Sequence, residues 1–321
     1  MCCAAQILCL GKCGCEATVL ASSTVLDDFT ADCMTFFQAI FIAMFQGITE
    51  LFPVSSLGHT VILPAVLGWN IDQQSLRFLP FLVVLHLGTA TALLVYFWRE
   101  WWVLLMAVLG RGKTASEISR ERRLVALLVL GTLPAVVLGF AFEKWLRHLF
   151  GSPHAAASFL VVNGVVLFAG ERLRRRADAV GNRRELARIG WRAALFIGLF
   201  QATALFPGIS RSGATIVGGL LAGLRHEDAA RFSFLLATPI IIGAAVLEIP
   251  KLLQAPAEAC SAALGGGVLW IAAAVAGLTA YASTAFLMRY FRTHERSAAL
   301  DPFAYYCWLA GVAALVYLSF A

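Results

Sequence analysis

The hydrophobic pattern of the chain is dominated by long apolar runs that contain few charged positions. A membrane-spanning helix needs roughly 20 mostly apolar residues, with a range of about 17–25. Six segments meet this requirement, and each is predicted to form one spanning helix. They are residues 77–98, 120–142, 155–171, 231–250, 264–289 and 303–320. The pattern therefore predicts an all-α polytopic membrane protein.

Two further apolar stretches, residues 38–69 and 191–224, follow a different pattern. Each has an apolar run of roughly 14 residues, then a loop rich in Pro, Ser and Gly, then a run of about 11, so neither run is long enough to cross alone. The loops are predicted at 52–58 and 206–213. Such interrupted pairs are typical of re-entrant helical hairpins, whose irregular backbone must line a cavity or be buried in protein. Two ordinary spanning helices kinked at proline are the alternative.

The two interrupted stretches also resemble each other. FIAMFQGITELFPVSSLGHT at 41–60 matches FIGLFQATALFPGISRSGAT at 196–215 with a one-residue gap in each direction, which aligns Ser56 with Ser210. Three predicted spanning helices lie between the copies. Because that number is odd, the second copy must enter the membrane from the opposite face. We therefore expect an inverted-topology repeat in which the two loops meet near the midplane.

The basic residues indicate the orientation of this repeat. Of the 25 Lys and Arg residues, 19 fall on the face opposite the entry of the first hairpin, five fall on the entry face, and the remaining one is Arg211. Cytoplasmic loops carry an excess of Lys and Arg. We therefore expect both termini and the mouth of the first hairpin on the periplasmic side. The arginines of the basic loop are interpreted as a topology anchor that can also contact anionic lipids; they are Arg172, Arg174, Arg175 and Arg176.

The expected organisation is one integral membrane domain at 34–321, preceded at 1–33 by a disordered extension or by residues that result from an upstream choice of start codon. Repeat 1 spans about 38–171 and repeat 2 about 191–321, with a basic cytoplasmic loop at 172–190 between them. The extension holds six of the eight cysteines. It lacks the basic start of a secretory signal, and no second Cys or His pair is present to complete a metal site with the cysteines of the extension.

Composition agrees with a membrane protein and excludes several other classes. Hydrophobic residues make up 60% of the chain and charged residues 14%, and the mean hydropathy is +0.79. A globular protein is about 45–50% apolar and about 25% charged. The chain has too few charges to cover a soluble globule, so a cytosolic enzyme, a disordered protein and a nucleic-acid-binding protein are all excluded.

Two charges fall inside the interrupted stretches: Glu50, one turn before the first loop, and Arg211 in the second loop. A charge at the centre of a bilayer costs at least about 2.5–3.5 kcal/mol, so it needs a partner or a function. The expected repeat brings both into one cavity together with a set of hydroxyl and imidazole side chains, which are Ser55, Ser56, His59, Ser210, Ser212 and Thr215. A Glu–Arg pair that only stabilises the helix break is the alternative, but such a pair needs none of these additional polar groups.

This set suits an anionic group with several oxygens. Gly208, Ser210 and Gly213 open a half-helix whose free N–H groups favour phosphate, and Arg211 adds a planar pair of donors. His59 can act as a nucleophile or general acid. Glu50 can act as a base or bind a divalent cation, Mg²⁺ or Ca²⁺. His86 is interpreted as a packing histidine.

The segments QGITELFPVSSLGH at 46–59 and PGISRSGAT at 207–215 resemble the two signature motifs of the bacterial undecaprenyl-diphosphate phosphatases of the bacitracin-resistance type. The resemblance covers about 34–321. It implies hydrolysis of undecaprenyl diphosphate to the monophosphate and phosphate, which recycles the lipid carrier for cell-wall synthesis and confers bacitracin resistance. It also implies a metal-dependent site in the inner membrane, open to the periplasm.

Carried over by motif position, the resemblance implies roles for individual residues. Gln46 and Glu50 take the paired acidic slots as metal ligands, and Ser56 and His59 take the catalytic slots. The phosphate-binding set would be Ser55, Gly208, Ser210, Arg211, Ser212, Gly213 and Thr215, with Arg211 also catalytic. Gln46 departs from the motif, because many members have Glu there, so general-base chemistry would fall on Glu50 alone.

One alternative remains at this point. A secondary transporter or lipid flippase would also use inverted repeats, broken helices and midplane charges. The other membrane lipid-phosphatase superfamily is set aside, because it places a catalytic His about six residues after an Arg and Val217 occupies that position here. The expected partners are a polyprenyl diphosphate lipid and the membrane, with no nucleic acid; a homodimer is left open.

Overall fold

The computed structural model of the chain describes residues 34–69, 71, 78–112, 114–178, 185–254, 266–295 and 297–320. The extension expected at 1–33 lies outside these residues. The described residues form helices and contain no β-strand. In chain order the helices are α1 Phe36–Leu51, α2 Ser56–Val66, α3 Phe78–Tyr96, α4 Trp98–Val108, α5 Ala115–Ala141, α6 Glu143–Phe150, α7 Pro153–Asp178, α8 Trp191–Thr203, α9 Arg211–Leu221, α10 His226–Gln254, α11 Gly266–Thr293 and α12 Asp301–Phe320.

Five of these helices are long and apolar enough to cross a membrane: α5, α7, α10, α11 and α12. A sixth candidate is the pair α3 and α4, which is bent by 79° at Phe97. Many large apolar side chains on the outer helix faces are exposed, such as Leu309 at 74% and Phe320 at 88%. A soluble protein would not expose so much apolar surface. The prediction of an all-α membrane protein is therefore confirmed.

The structure corrects one boundary at this bend. The first predicted spanning segment ends at residue 98, but the chain continues from there as helix α4, whose sequence WREWWVLLMAV is largely apolar. The end of α4 is held by Arg122 of α5, which donates from Nε to the Ala107 carbonyl at 2.7 Å and from Nη2 to the Val108 carbonyl at 3.3 Å. The last carbonyls of a helix lack partners within the helix, so these two bonds stabilise the C-terminus of α4.

Close contacts between backbones hold the helices together. Helix α11 packs against α1 and α3, α12 against α7, and α8 against α5. A Cβ atom on Gly47 of α1 would lie 2.3 Å from the Ala276 carbonyl oxygen of α11, and one on Gly88 of α3 would lie 2.1 Å from that of Ala273. Small residues allow this close approach, which is how membrane helices associate where lipid supplies no hydrophobic driving force.

The arginine cluster after residue 171 is only partly a surface feature. Helix α7 continues to Asp178, so residues 172–178 are helical and not part of a loop. Arg174 is 4% exposed and donates from Nη2 to Glu171 Oε1 at 2.6 Å, and Glu171 Oε2 lies 2.9 Å from His226 Nε2 of α10. Arg174 thus belongs to a buried ionic cluster that joins α7 to α10, and its interpretation as a topology anchor stays a prediction.

Candidate functional site

Each interrupted stretch forms two helices joined by a short turn, and a serine caps the second helix of each pair. Ser55 Oγ accepts from the Gly58 backbone N–H at 3.2 Å at the start of α2, and Ser210 Oγ accepts from the Gly213 N–H at 3.1 Å at the start of α9. A serine side chain at this position satisfies one of the free N–H groups of the first turn. The turns are therefore shorter than expected, because Ser56 and Arg211 are already helical.

These caps favour a different alignment of the two segments. Ser55 and Ser210 each accept from the backbone N–H three residues later, so the caps pair Ser55 with Ser210 and Ser56 with Arg211. The sequence match had paired Ser56 with Ser210. That match placed its gap after the serine pair, because the residue type alone does not show which of two neighbouring serines forms the cap.

The two turns are in direct contact, as expected. Ser212 Oγ donates to the Phe52 carbonyl at 3.0 Å, and Ser210 Oγ lies 3.4 Å from the same oxygen. Phe52 is the C-cap of α1, where a carbonyl has no partner within the helix, and its oxygen accepts from the Val54 N–H at 2.7 Å as well as from these serines. Ser210 and Ser212 therefore connect the two hairpins, whereas the sequence had placed both in the phosphate-binding set.

Asn163 of α7, which the sequence analysis did not identify, binds both turns at once. Its Nδ2 donates to the Pro53 carbonyl at 2.9 Å, and its Oδ1 accepts from the Ser210 backbone N–H at 3.0 Å. The side chain is fully buried. An amide offers donors on one side and an acceptor on the other, so Asn163 holds the two turns in a fixed relative position.

Glu50 lies at the centre of the site, with a partner from each hairpin. Arg211 Nη2 donates to Glu50 Oε1 at 2.7 Å, and Ser56 Oγ donates to Glu50 Oε2 at 2.5 Å. Gln46, one turn earlier on α1, donates from Nε2 to Glu50 Oε2 at 3.0 Å. Four residues that the sequence singled out thus form one connected cluster, although Glu50 and Arg211 are 161 positions apart.

His86 of α3 belongs to the same cluster, which corrects its interpretation as a packing histidine. Its Nε2 lies 3.0 Å from Gln46 Nε2 and 3.2 Å from Glu50 Oε2, and its Nδ1 lies 2.7 Å from the Leu82 carbonyl. A carbonyl can only accept, so Nδ1 carries a hydrogen and Nε2 faces Glu50 and Gln46. A polar ring in the middle of a spanning helix is costly, and that cost is the signal that could have identified His86.

His59 lies one turn beyond Ser56 on α2, and its ring nitrogens bind two other groups. Nδ1 lies 2.6 Å from the Ser55 carbonyl, and Nε2 lies 2.9 Å from the hydroxyl of Tyr306 on α12. The His59 and Tyr306 rings stack with centroids 5.6 Å apart. Tyr306 was not identified from the sequence, because a tyrosine in the last spanning helix carries no local sign of this contact.

The remaining members of the expected phosphate-binding set serve packing in this structure. Thr215 Oγ1 donates within α9 to the Arg211 carbonyl at 2.8 Å and lies 2.5 Å from Ser233 Oγ of α10. Gly208 has a φ of 103°, and a Cβ there would lie 2.2 Å from the Ala156 carbonyl oxygen. Gly208 therefore allows the second turn to pack directly on α7. Gly213 contributes the N–H that Ser210 caps.

Two buried polar atoms of the cluster have no partner within the described residues: Gln46 Oε1 and Arg211 Nη1. Leaving a buried polar atom unpaired costs about 1–3 kcal/mol, so both are candidate ligand contacts. Arg211 Nη1 suits a phosphate oxygen. Gln46 Oε1, with the carboxylate of Glu50, suits a hard cation that prefers oxygen ligands. The described residues contain no group of three or more His, Cys, Asp or Glu side chains able to hold a metal by themselves.

Comparison with known proteins places the chain among relatives of nearly the same length. The chain is 57% identical over 287 residues to a protein of Acidiphilium cryptum named undecaprenyl-diphosphatase, with 89% of this chain and 99% of that protein covered. A protein of Granulibacter bethesdensis with the same name is 56% identical over 299 residues, covering 90% and 98%. One from Mycolicibacterium paratuberculosis is 43% identical over 309 residues, covering 89% and 98%.

The profile of a protein family also matches. It is described as Bacitracin resistance protein BacA, and it aligns with residues 39–313, which include both hairpins and every residue of the cluster around Glu50. With this match and the identities above, the chain belongs to the bacitracin resistance protein BacA family.

Proposed function

We propose that this protein hydrolyses undecaprenyl diphosphate to undecaprenyl phosphate and inorganic phosphate, and that it thereby recycles the lipid carrier of cell-wall synthesis and confers bacitracin resistance. The observation that carries the proposal is the cluster in which Glu50 binds both Ser56 and Arg211, while Arg211 Nη1 is buried with no partner in the described part of the chain. The names of the relatives from three organisms support the same activity.

In this proposal Arg211 binds the terminal phosphate. Its Nη2 is held by Glu50, which leaves the second nitrogen free to donate to a phosphate oxygen. A guanidinium fork recognises two acceptors in one plane, here one carboxylate and one phosphate. Charge that develops on the phosphoryl oxygens during the reaction is then stabilised by a group that is already oriented before the substrate arrives.

The contact between Glu50 and Ser56 favours Ser56 as the nucleophile. A serine is activated when a base lies within hydrogen-bonding distance of its hydroxyl, and Ser56 Oγ is 2.5 Å from Glu50 Oε2. In the proposed reaction Glu50 accepts the Ser56 proton as Oγ attacks the terminal phosphorus and undecaprenyl phosphate leaves. Water then hydrolyses the phosphoserine and releases phosphate. His59, whose Nε2 contacts only a hydroxyl among the described residues, is assigned to proton transfer.

We also propose a divalent cation, Mg²⁺ or Ca²⁺, held by Glu50 and by the unpaired oxygen of Gln46. The cation would neutralise negative charge on the diphosphate. One carboxylate and one amide are too few ligands for a tight site, and Mg²⁺ is usually bound by one or two carboxylates together with substrate phosphates. In this proposal the substrate itself contributes the remaining oxygen ligands.

The proposal includes an inverted repeat in the inner membrane, with the site open to the periplasm and both termini on that side. Its support is the pair of equivalent caps, Ser55 and Ser210, together with the excess of basic residues on one face. Labelling of Lys144→Cys from outside and of Arg176→Cys from the cytoplasm would test the orientation. A homodimer stays part of the proposal, although one chain supplies all of the groups assigned here.

The test of the proposed activity is phosphate release from undecaprenyl diphosphate by the purified protein in liposomes, with and without a chelator. We expect release in the presence of Mg²⁺ or Ca²⁺ and a strong decrease with the chelator. A transporter or flippase would release no phosphate under either condition, which would contradict the proposed hydrolysis. Unchanged release with the chelator would contradict the cation alone and leave the hydrolysis supported.

A further inference from the structure

We infer that Tyr306 is a positioning residue that fixes the orientation and tautomer of His59; this inference rests on the proposed function of the site. The two residues are 247 positions apart, and His59 Nε2 lies 2.9 Å from the Tyr306 hydroxyl. The rings are nearly parallel, with an interplanar angle of 16°. Tyr306 therefore contacts His59 through both its hydroxyl and the face of its ring.

The hydrogen-bond partners of His59 determine which ring nitrogen carries the hydrogen. The Ser55 carbonyl, 2.6 Å from Nδ1, can only accept, so Nδ1 must be the N–H. In the neutral ring Nε2 then presents a lone pair, and the Tyr306 hydroxyl donates to it. The two contacts together select one tautomer, in the way that the second hydrogen bond of a histidine sets which nitrogen is available for chemistry.

The backbone of Ser55 is adapted to this arrangement. Ser55 has a φ of 68°, and among the described residues it is the single residue other than glycine with a positive φ. Such a conformation is costly for a residue with a side chain and is maintained only where the surroundings require it. Here the Ser55 carbonyl accepts from both the backbone N–H and the ring Nδ1 of His59, so the strained residue supplies one of the two groups that fix the ring.

Tyr306 is itself held in place by close packing of α12 on α7. A Cβ on Gly164 of α7 would lie 2.9 Å from the Ala304 carbonyl oxygen, and one on Gly311 of α12 would lie 3.0 Å from that of Ala157. These contacts flank Tyr306 along α12 and fix the distance between the helices. The same helix α7 carries Asn163, which binds both turns, so His59 and the turns are positioned by a common helix.

This geometry assigns Tyr306 a role before the chemical step. The hydroxyl keeps the Nε2 lone pair oriented until substrate binds, and it can then rotate about its own C–O bond while the two rings stay stacked. Without the hydroxyl the imidazole can turn about its χ2 angle and lose the correct orientation. Because Tyr306 acts through His59 and does not itself bind phosphate, its removal is expected to lower kcat and leave KM unchanged.

The test is a double-mutant cycle on phosphate release, with Tyr306→Phe, His59→Ala and the double variant. We expect Tyr306→Phe to lower kcat about 10- to 100-fold, which is part of the rate enhancement of about 10²–10⁴ that a positioned proton-transfer group contributes. KM should stay within about twofold of the wild-type value. In the His59→Ala background Tyr306→Phe should have no further effect, because residues that act as a unit are not additive. Tyr305→Phe, which changes the adjacent and more exposed tyrosine, is the matched control and should keep normal kcat.

Several outcomes would overturn the inference. A kcat for Tyr306→Phe within twofold of the wild type would show that the hydroxyl does not position His59. A raised KM with normal kcat would make Tyr306 a substrate contact, and a full additional loss in the His59→Ala background would make it independent of His59.

A second measurement does not depend on activity and separates this inference from the proposed function. Side-chain ¹⁵N NMR of the six histidines, with His59 assigned from the signal lost in His59→Ala, reports its tautomer directly. We expect the Nδ1–H tautomer in the wild type and a shift of the Nε2 resonance in Tyr306→Phe. An Nε2–H tautomer, or a spectrum unchanged by Tyr306→Phe, would refute the inference even if the enzyme is fully active. A wild-type protein with no activity would refute only the proposed function.

Discussion

Arg211 donates a 2.7 Å hydrogen bond to the Glu50 carboxylate through Nη2, while its Nη1 is buried with no partner among the described residues. A Glu–Arg pair that served only to stabilise the helix break would gain from satisfying both nitrogens, because an unpaired buried donor is costly. The half-satisfied guanidinium is therefore better explained by a ligand that binds to Nη1. Glu50 orients the guanidinium group of Arg211, and the substrate phosphate binds its second terminal nitrogen.

Arg211→Lys tests this relationship. A lysine can retain a contact with Glu50, but its ammonium is a point charge and cannot present two donors in one plane. We expect kcat to fall by about 10²–10³, the usual effect of losing one charge-stabilising donor, while the protein still folds. The matched control is Arg231→Lys, which changes an arginine paired with Glu100 at 2.8 Å on another part of the fold. Equal activity in both variants would mean that Nη1 does not bind the phosphate.

The neighbouring serines should respond in opposite ways. Ser56→Ala removes the hydroxyl that binds Glu50, so kcat should fall by several orders of magnitude with little change in thermal stability. Ser55→Ala removes the cap of α2, so the free energy of unfolding should fall by about 1 kcal/mol, with a smaller effect on kcat. Melting temperatures and initial rates measured on both variants would test this. Normal turnover in Ser56→Ala would make His59 the leading candidate for the nucleophile.

Part of this site could be predicted from the sequence. Glu50 and Arg211 are recognisable because a charge inside an apolar run is costly, and the turns are marked by Pro, Gly and Ser in runs too short to span. The internal match then predicts that the two charges meet. Each of these signals is local, or depends on similarity between two local segments, and the structure contains the corresponding contacts.

Other parts depend on packing between distant helices and leave no local signal. Asn163 and Tyr306 lie in the spanning helices α7 and α12, and each reaches the site only because those helices pack closely together. The same applies to Ser210 and Ser212, whose residue types suit phosphate but whose hydroxyls bind the Phe52 carbonyl. The partner of these hydroxyls is decided by the position of the Phe52 carbonyl, which also accepts from the Val54 N–H, and the sequence pattern does not show where that carbonyl points.

Asn163→Asp tests whether one side chain holds the two turns together. The carboxylate can still accept from the Ser210 N–H, but it cannot donate to the Pro53 carbonyl and would place two acceptors 2.9 Å apart. We expect the free energy of unfolding to fall by about 1–3 kcal/mol and kcat to fall with it, because the turns lose their fixed relative position.

Ser152→Ala, at the residue just before the start of the same helix, is the control. It removes a bond from the Ala155 N–H to Ser152 Oγ, away from the turns. The free energy of unfolding of Ser152→Ala should decrease slightly, and its kcat should stay normal. If Asn163→Asp lowers stability with an unchanged kcat, the amide supports the fold but does not position the site.

The buried ionic cluster around Glu171 should contribute to stability without affecting the reaction. Glu171→Gln keeps the shape of the side chain but removes the charge that binds Arg174 and His226. Removing one partner of a buried ion pair typically costs about 3–5 kcal/mol, and the Ser297 carbonyl, which also accepts from Arg174, should keep the loss near the lower end. Arg176→Gln, an exposed change on the same helix, should shift stability by no more than about 0.5 kcal/mol. A large fall in kcat below the melting temperature would assign this cluster a part in the reaction.

The last prediction concerns Gln46 and the proposed cation. Gln46→Glu would place a second carboxylate about 3 Å from Glu50 Oε2, where the amide now donates. Two buried carboxylates this close repel each other, so the variant should be less stable than the wild type in chelator. A cation bound between them would remove the repulsion and gain a second negative ligand, so Mg²⁺ should raise the melting temperature of the variant more than that of the wild type.

Calorimetric titration provides the matching binding measurement. Metal affinity should be weak in the free wild-type protein and stronger in Gln46→Glu. In both proteins a bound diphosphate analogue should raise the metal affinity, and metal should raise the affinity for the analogue by the same factor. The matched control is Gln201→Glu. Gln201 aligns with Gln46 in the internal sequence match, but its amide donates to the Gly131 carbonyl at 3.3 Å and not to an acidic residue. That variant should therefore lose stability equally with and without Mg²⁺. Equal metal affinity of the wild type and Gln46→Glu, with and without the analogue, would exclude position 46 and the diphosphate from the metal site. Glu50 would then act only as the base of Ser56 and the partner of Arg211.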